Sequence, residues 1–61
     1  MAQITEKELS ALSDLMSAEQ VQIAKYCAAA QKCTDSAIAD CYTQMAEHHQ
    51  RHFDRLYTNL K

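Results

Sequence analysis

The sequence predicts an all-α fold, a two-helix antiparallel hairpin that pairs with a second copy into a four-helix bundle. The 61 residues include no glycine and no proline, and these are the residues on which β-hairpin turns depend. Apolar residues recur at steps of three and four along two long segments, which is the period of an α-helix. A chain this short has too small a core to bury two such faces, so a homodimer is expected.

The first helix is predicted over about residues 6–32, after a short lead-in at residues 1–4. It begins at a capping box, because Thr5 can accept a hydrogen bond from a first-turn N–H while Glu8 reaches back to the Thr5 N–H. Its inward positions form a heptad-like row with one charged member, Glu19. The row consists of Leu9, Leu12, Met16, Glu19, Ile23, Tyr26, Ala30 and Cys33.

A turn at 33–35 and a second helix over 36–59 complete a single domain spanning 1–61. Asp35 is a favourable N-cap for that helix. We place Ile38 at the centre of the buried face of this helix and advance about 100° per residue. This gives the residues that point inward. They are Met45, His49, His52 and Leu56, flanked by Tyr42, Phe53, Cys41 and Leu60, with His48 at the edge and Glu47 outward.

Two histidines therefore lie where a helix usually carries leucine, and a buried imidazole needs a partner. In a hairpin turning at Thr34, Glu19 is level with His49, as Tyr26 is with Tyr42. The partner is then either a hydrogen-bonded Glu–His layer or a metal site.

The metal site would use Glu19 with His49 and His52, or with the pair His48 and His52 one turn apart. Imidazole and carboxylate ligands suit zinc, iron or manganese. The three cysteines lack paired spacing and are expected as reduced thiols. Cys27 and Cys41 are expected in the core, with Cys33 the most exposed.

The mid-helix Ala18-Glu19 and the ending HQRHFDRL at 49–56 resemble ferritin-like chains, in particular the short coat F type spore coat proteins. The resemblance covers about residues 5–60 and implies a ferritin-like four-helix bundle. Ferritin-like di-iron proteins carry a Glu in one helix and Glu-x-x-His in the next. Glu19 matches the first element, but Glu47 is followed three residues later by Gln50, so a bridging carboxylate is missing. Oxidase or ferroxidase activity is not expected, and no catalytic residue is assigned.

The net charge of −2 with scattered basic residues disfavours nucleic-acid binding. The sequence has no apolar run that would form a signal peptide or a membrane span. We expect an intracellular protein, located in the spore coat if the resemblance holds.

The first hypothesis is a homodimeric structural or assembly protein that packs with itself and other coat proteins. The alternatives are a metal-binding bundle with a degenerate Glu/His site and an adaptor that docks a partner helix.

Overall fold

A computed structural model describes residues 4–60 as two antiparallel helices joined by a short turn. Helix α1 is Glu6–Lys32 and helix α2 is Ser36–Thr58, against predicted ranges of 6–32 and 36–59. The predicted all-helical hairpin is confirmed for the described residues, while residues 1–3 of the predicted lead-in lie outside them. The hairpin is a flat rod of 47 × 17 × 10 Å. Within residues 4–60, neither helix is long and apolar enough to cross a membrane.

Local capping chemistry sets where α1 begins. Thr5 Oγ1 accepts a hydrogen bond from the Glu8 N–H at 3.1 Å, and Glu8 Oε1 accepts one from the Thr5 N–H at 3.1 Å. The predicted capping box is therefore present. The backbone hydrogen bond from Thr5 holds the pKa of Glu8 below its ordinary value, since bonds that favour the charged carboxylate favour its ionisation.

The chain reverses direction between Lys32 and Ser36. Asp35 caps α2 by accepting a hydrogen bond from the Ile38 N–H at 3.0 Å, and Cys33 Sγ donates to the Asp35 carbonyl oxygen at 3.4 Å. Both residues have extended backbone angles, which is the conformation expected just before a helix. A three-residue turn this tight sets which levels of the two helices meet.

The two helices pack along what we call the hairpin seam. On α1 the predicted row is largely confirmed, because all its members except Leu9, which is 46% exposed, are at least partly buried. On α2 the prediction is confirmed in part, because His49 and Leu56 belong to the seam as predicted, with Tyr42 and Phe53 from its predicted flanks, whereas Ala39 and Ala46 take the places of Ile38 and Met45. The seam on α2 consists of Ala39, Tyr42, Ala46, His49, Phe53 and Leu56, spaced alternately by three and four residues.

The prediction that Ile38 marks the centre of the buried face of α2 is wrong for the single hairpin. Ile38 is 49% exposed and Met45 is 40% exposed, whereas Ala46, at 6%, is the one buried residue within 4–60. At about 100° per residue the seam row is centred roughly 50° away from Ile38. Because the distance between packed helices depends on the side chains at their contact, the small Ala39 and Ala46 allow a closer approach of α1 than Ile38 and Met45 would.

The rotation of α2 leaves a continuous surface exposed, which we call the apolar face. On α2 it follows a second row spaced by three and four, and on α1 it includes Leu15, 53% exposed. A surface depression lined by Leu15 and Glu19 of α1 and by His52, Arg55 and Leu56 of α2 spans the two helices. Leu15 and the second row of α2 therefore lie on one side, with the charged Arg55 beside them. The apolar face consists of Leu15, Ala18, Ile38, Cys41, Met45, His48 and His52.

The opposite side of the hairpin mixes polar side chains with apolar ones such as Leu9 and Leu60, which are 46% and 38% exposed. Its depressions are lined by Ser13, Ser17 and Gln20 from α1 and by Gln50 from α2, together with apolar side chains of the seam. Gln50 also donates to the Asp54 carboxylate at 3.0 Å. The two broad sides of the hairpin therefore differ in chemistry, and only one of them carries the second apolar row.

The predicted burial of the thiols is also wrong for the single hairpin. Cys27 and Cys41 are exposed, and Cys33 is half-buried. Cys41 belongs to the apolar face, because that face lies to one side of the rotated seam. Cys27 lies to the other side, since it and Leu15 are each about 60° from Leu12 in opposite directions.

Candidate functional site

A carboxylate from α1 meets two imidazoles from α2 halfway along the hairpin. Glu19 Oε1 lies 2.5 Å from His49 Nδ1, and Glu19 Oε2 lies 3.2 Å from His52 Nδ1. The turn places Glu19 level with His49, as predicted, and His52 follows nearly one helical turn later on an adjacent line. We call Glu19, His49 and His52 the polar trio.

The hydrogen bonds of the polar trio assign the ring protons. The hydrogen bond with His49 is the chief cause that lowers the pKa of Glu19 below its ordinary value of 4.5, so this carboxylate is ionised at neutral pH. An ionised carboxylate only accepts hydrogen bonds. The Nδ1 of His49 and the Nδ1 of His52 must then carry their protons, and in each neutral ring the lone pair is on Nε2. A carboxylate behind an imidazole is the arrangement that orients metal-ligating histidines in many proteins.

Aromatic rings shield one end of the polar trio. The Tyr26 ring stacks on His49 with centroids 5.8 Å apart and planes 6° apart, and it packs against Tyr42 at 6.0 Å. The side chains of Glu19 and His49 are only 18% and 19% exposed, against 39% for His52. Tyr26, predicted only as a seam residue, thus forms part of the site. Its position one heptad after Glu19 is the feature of the sequence that could have predicted this contact.

His48 stands beside the polar trio on the exposed side. Its ring centroid is 4.2 Å from that of His52 and 5.5 Å from that of His49. The pKa of His48 lies below its ordinary 6.5, chiefly because a positive charge on His52 opposes a second one nearby. The neutral imidazole, which is the form that binds metals, is therefore favoured at His48.

The polar trio has the donor set and spacing of a metal site. Its three ligand atoms lie within 4.8 Å of one another. Two ligands of a tetrahedral zinc ion, each about 2.1 Å from it, are about 3.4 Å apart. The Glu19 contacts to His52 Nδ1 at 3.2 Å and to His49 Nδ1 at 2.5 Å are hydrogen bonds, so a metal ion within the polar trio would have to displace their protons or be bound by the Nε2 atoms of turned rings. Metal binding here stays a prediction.

The di-iron arrangement lacks its second acid at this level. Glu47, the nearest acidic residue along α2, is exposed and is not a member of the polar trio. Within residues 4–60, the cluster thus combines one carboxylate with two imidazoles. Two-iron redox chemistry needs more carboxylates than one hairpin supplies.

No family model, no curated protein and no solved structure matches this chain. The function is therefore argued from the geometry of the hairpin.

Proposed function

We propose that the chain is a structural protein that functions as a homodimer, in which two hairpins pack through their apolar faces into a four-helix bundle. The exposed area carries this proposal. A compact monomer of 6.9 kDa exposes about 4000 Å², whereas this chain exposes 4897 Å². The excess, roughly 900 Å², reflects the thin shape of the rod, 47 × 17 × 10 Å, and it is close to the ~800 Å² that each partner buries in a standard interface.

A second copy is the occupant that the chemistry of the surface favours. The apolar face carries Leu15, Ile38 and Met45, which are 53%, 49% and 40% exposed, whereas serine and glutamine side chains interrupt the apolar ones on the opposite side. A single surface that pairs with itself about a two-fold axis forms a closed dimer and leaves nothing for further addition. Pairs of helical hairpins form four-helix bundles of the ferritin-like kind.

The sequence resemblance to short coat F type proteins supports placing this dimer in the spore coat. In such a dimer the apolar faces are buried in the interface. The opposite sides of the two hairpins would then contact other coat proteins. Such a role requires no reaction, which agrees with the absence of a second bridging carboxylate at the polar trio.

The dimer is tested by two substitutions on the same helix. Leu15 and Val21 are 53% and 64% exposed, but Val21 lies on the back of α1, about 180° from Leu12. We expect sedimentation equilibrium at micromolar concentration to give twice the chain mass for the wild type and for Val21→Asp. Leu15→Asp should shift the protein to monomer and lower its melting temperature, because folding and association are linked.

A stably folded wild-type monomer whose melting temperature does not change with concentration would refute the dimer. A wild type that stays monomeric and poorly folded would instead indicate a hairpin that awaits a different helix. Equal behaviour of Leu15→Asp and Val21→Asp would show that the apolar face is not the interface.

Metal binding is the second candidate function, supported by the convergence of the polar trio. Adding Zn²⁺, Fe²⁺ or Mn²⁺ to metal-free protein should raise its melting temperature, since a ligand that binds only the folded state stabilises it. The increase should disappear in Glu19→Gln and in His52→Ala and persist in Glu47→Gln, which removes an exposed carboxylate from α2. If no metal changes the melting temperature at neutral pH, the polar trio is a hydrogen-bonded layer alone.

A further inference from the structure

The pair His48 and His52 has the form of a helical metal chelate. The two residues are four apart, one turn of α2, and their ring centroids are 4.2 Å apart. Two histidines at this spacing on one helical face can share a metal ion. Both belong to the apolar face, where His48 is exposed and the side chain of His52 is 39% exposed.

Glu19 orients His52, which is one member of this pair. Its Oε2 engages His52 Nδ1 at 3.2 Å, which leaves the Nε2 of His52 as the ligand atom. The carboxylate thus stands behind the ring as an orienting group, which raises the basicity of a ligating imidazole. It also supplies negative charge close to where a cation would bind.

The position of the pair along the hairpin decides whether two pairs can meet. Helix α2 spans Ser36–Thr58, so its middle residue is Glu47, one residue from His48. A two-fold axis along the hairpin brings each level to the same level of the partner. A two-fold axis perpendicular to the hairpin at its centre brings the two middles together, with each pair centred about 4.5 Å from the axis at 1.5 Å per residue. Only the first arrangement sets His48 and His52 level with the same residues of the partner, because the second places the two pair centres about 9 Å apart and the two His52 residues about 15 Å apart at 1.5 Å per residue.

We propose that two hairpins paired about a two-fold axis that runs along them hold one zinc ion between them, ligated by His48 and His52 of both copies. Four imidazole nitrogens satisfy the tetrahedral preference of Zn²⁺, and the two Glu19 carboxylates behind them balance its two positive charges. The ion would join the subunits as well as stabilise each hairpin. This inference rests on the proposed homodimer, and it differs from metal binding within the polar trio in using His48 and in needing two chains.

The test is a titration of metal-free protein with Zn²⁺ by isothermal calorimetry, joined to sedimentation equilibrium with and without the ion. We expect one ion per two chains and a dimer dissociation constant at least tenfold lower with Zn²⁺. His48→Ala should lose both effects and still form the zinc-free dimer at higher concentration, because alanine keeps the apolar face apolar and favours the helix. Arg51→Ala, which changes an exposed neighbour on the same helix, should bind as the wild type does.

The possible failures are distinguishable. One ion per chain, unaffected by His48→Ala, would overturn the shared site and assign the ion to the polar trio. A dimer that Zn²⁺ neither binds nor tightens would overturn the inference and leave the homodimer standing. Monomers under every condition would overturn both.

Discussion

Replacing Ala46 with leucine tests where the hairpin seam lies. Ala46 is 6% exposed, so three added carbon atoms have no free volume to enter and must push the helices apart. Overpacking a well-packed position costs about 1–3 kcal/mol, far more than the ~0.2 kcal/mol difference between alanine and leucine in helix propensity. At about 4–8 °C for each kcal/mol in a small domain, the melting temperature should fall by roughly 5–20 °C.

The measurement is thermal unfolding followed by far-ultraviolet circular dichroism, at one fixed protein concentration because the melting of a dimer depends on concentration. Ala28→Leu is the matched control. Ala28 is exposed on the back of α1, where a substitution should change stability by no more than about 0.5 kcal/mol. If the two variants melt together, or if Ala46→Leu is the more stable, the seam does not run along Ala39 and Ala46 and the rotation of α2 is wrong.

Two further predictions concern the thiols and the response to acid. Brief alkylation read by peptide mass spectrometry should show labelling of Cys41 slowing as protein concentration rises while labelling of Cys27 stays constant, since only Cys41 lies on the apolar face; equal slowing would place the interface elsewhere. The pKa of Glu19 is lowered from 4.5 in the folded protein, so its stabilising contribution is present above that pH and is lost as the pH falls through the lowered value. Melting temperature against pH should therefore fall more steeply in acid for the wild type than for Glu19→Gln, and parallel curves would contradict this.

The ends of the helices and the seam of α1 could be predicted because their causes are local. Thr5 and Asp35 are capping residues whose hydrogen bonds stay within one turn. The pairing of Glu19 with His49 could be predicted too, because a three-residue turn leaves little freedom in which levels meet.

The rotation of α2 could not be predicted in the same way, because this helix carries two adjacent rows with the spacing of a seam. The row with Ile38 and Met45 offers more apolar area, while the row with Ala39 and Ala46 allows closer approach. The choice between them depends on how the side chains of α1 fit against α2, which is a property of the packed pair. The contact of His52 with the second oxygen of Glu19, at 3.2 Å, depends on that same rotation.

Glu19 is hydrogen-bonded to both His49 and His52. These two contacts help to keep the two helices in register. Leu12, Met16 and Ile23 of the seam on α1 have side chains of similar size, which could exchange places if α2 slid along α1 by one heptad. Such a slip would take Glu19 about 10 Å from both imidazoles, at 1.5 Å per residue, and leave its charge against apolar side chains without a partner. An unpaired charge away from water is costly, and single polar residues set the register of other paired helices in this way. We expect Glu19 to contribute more to the uniqueness of the alignment than to its strength.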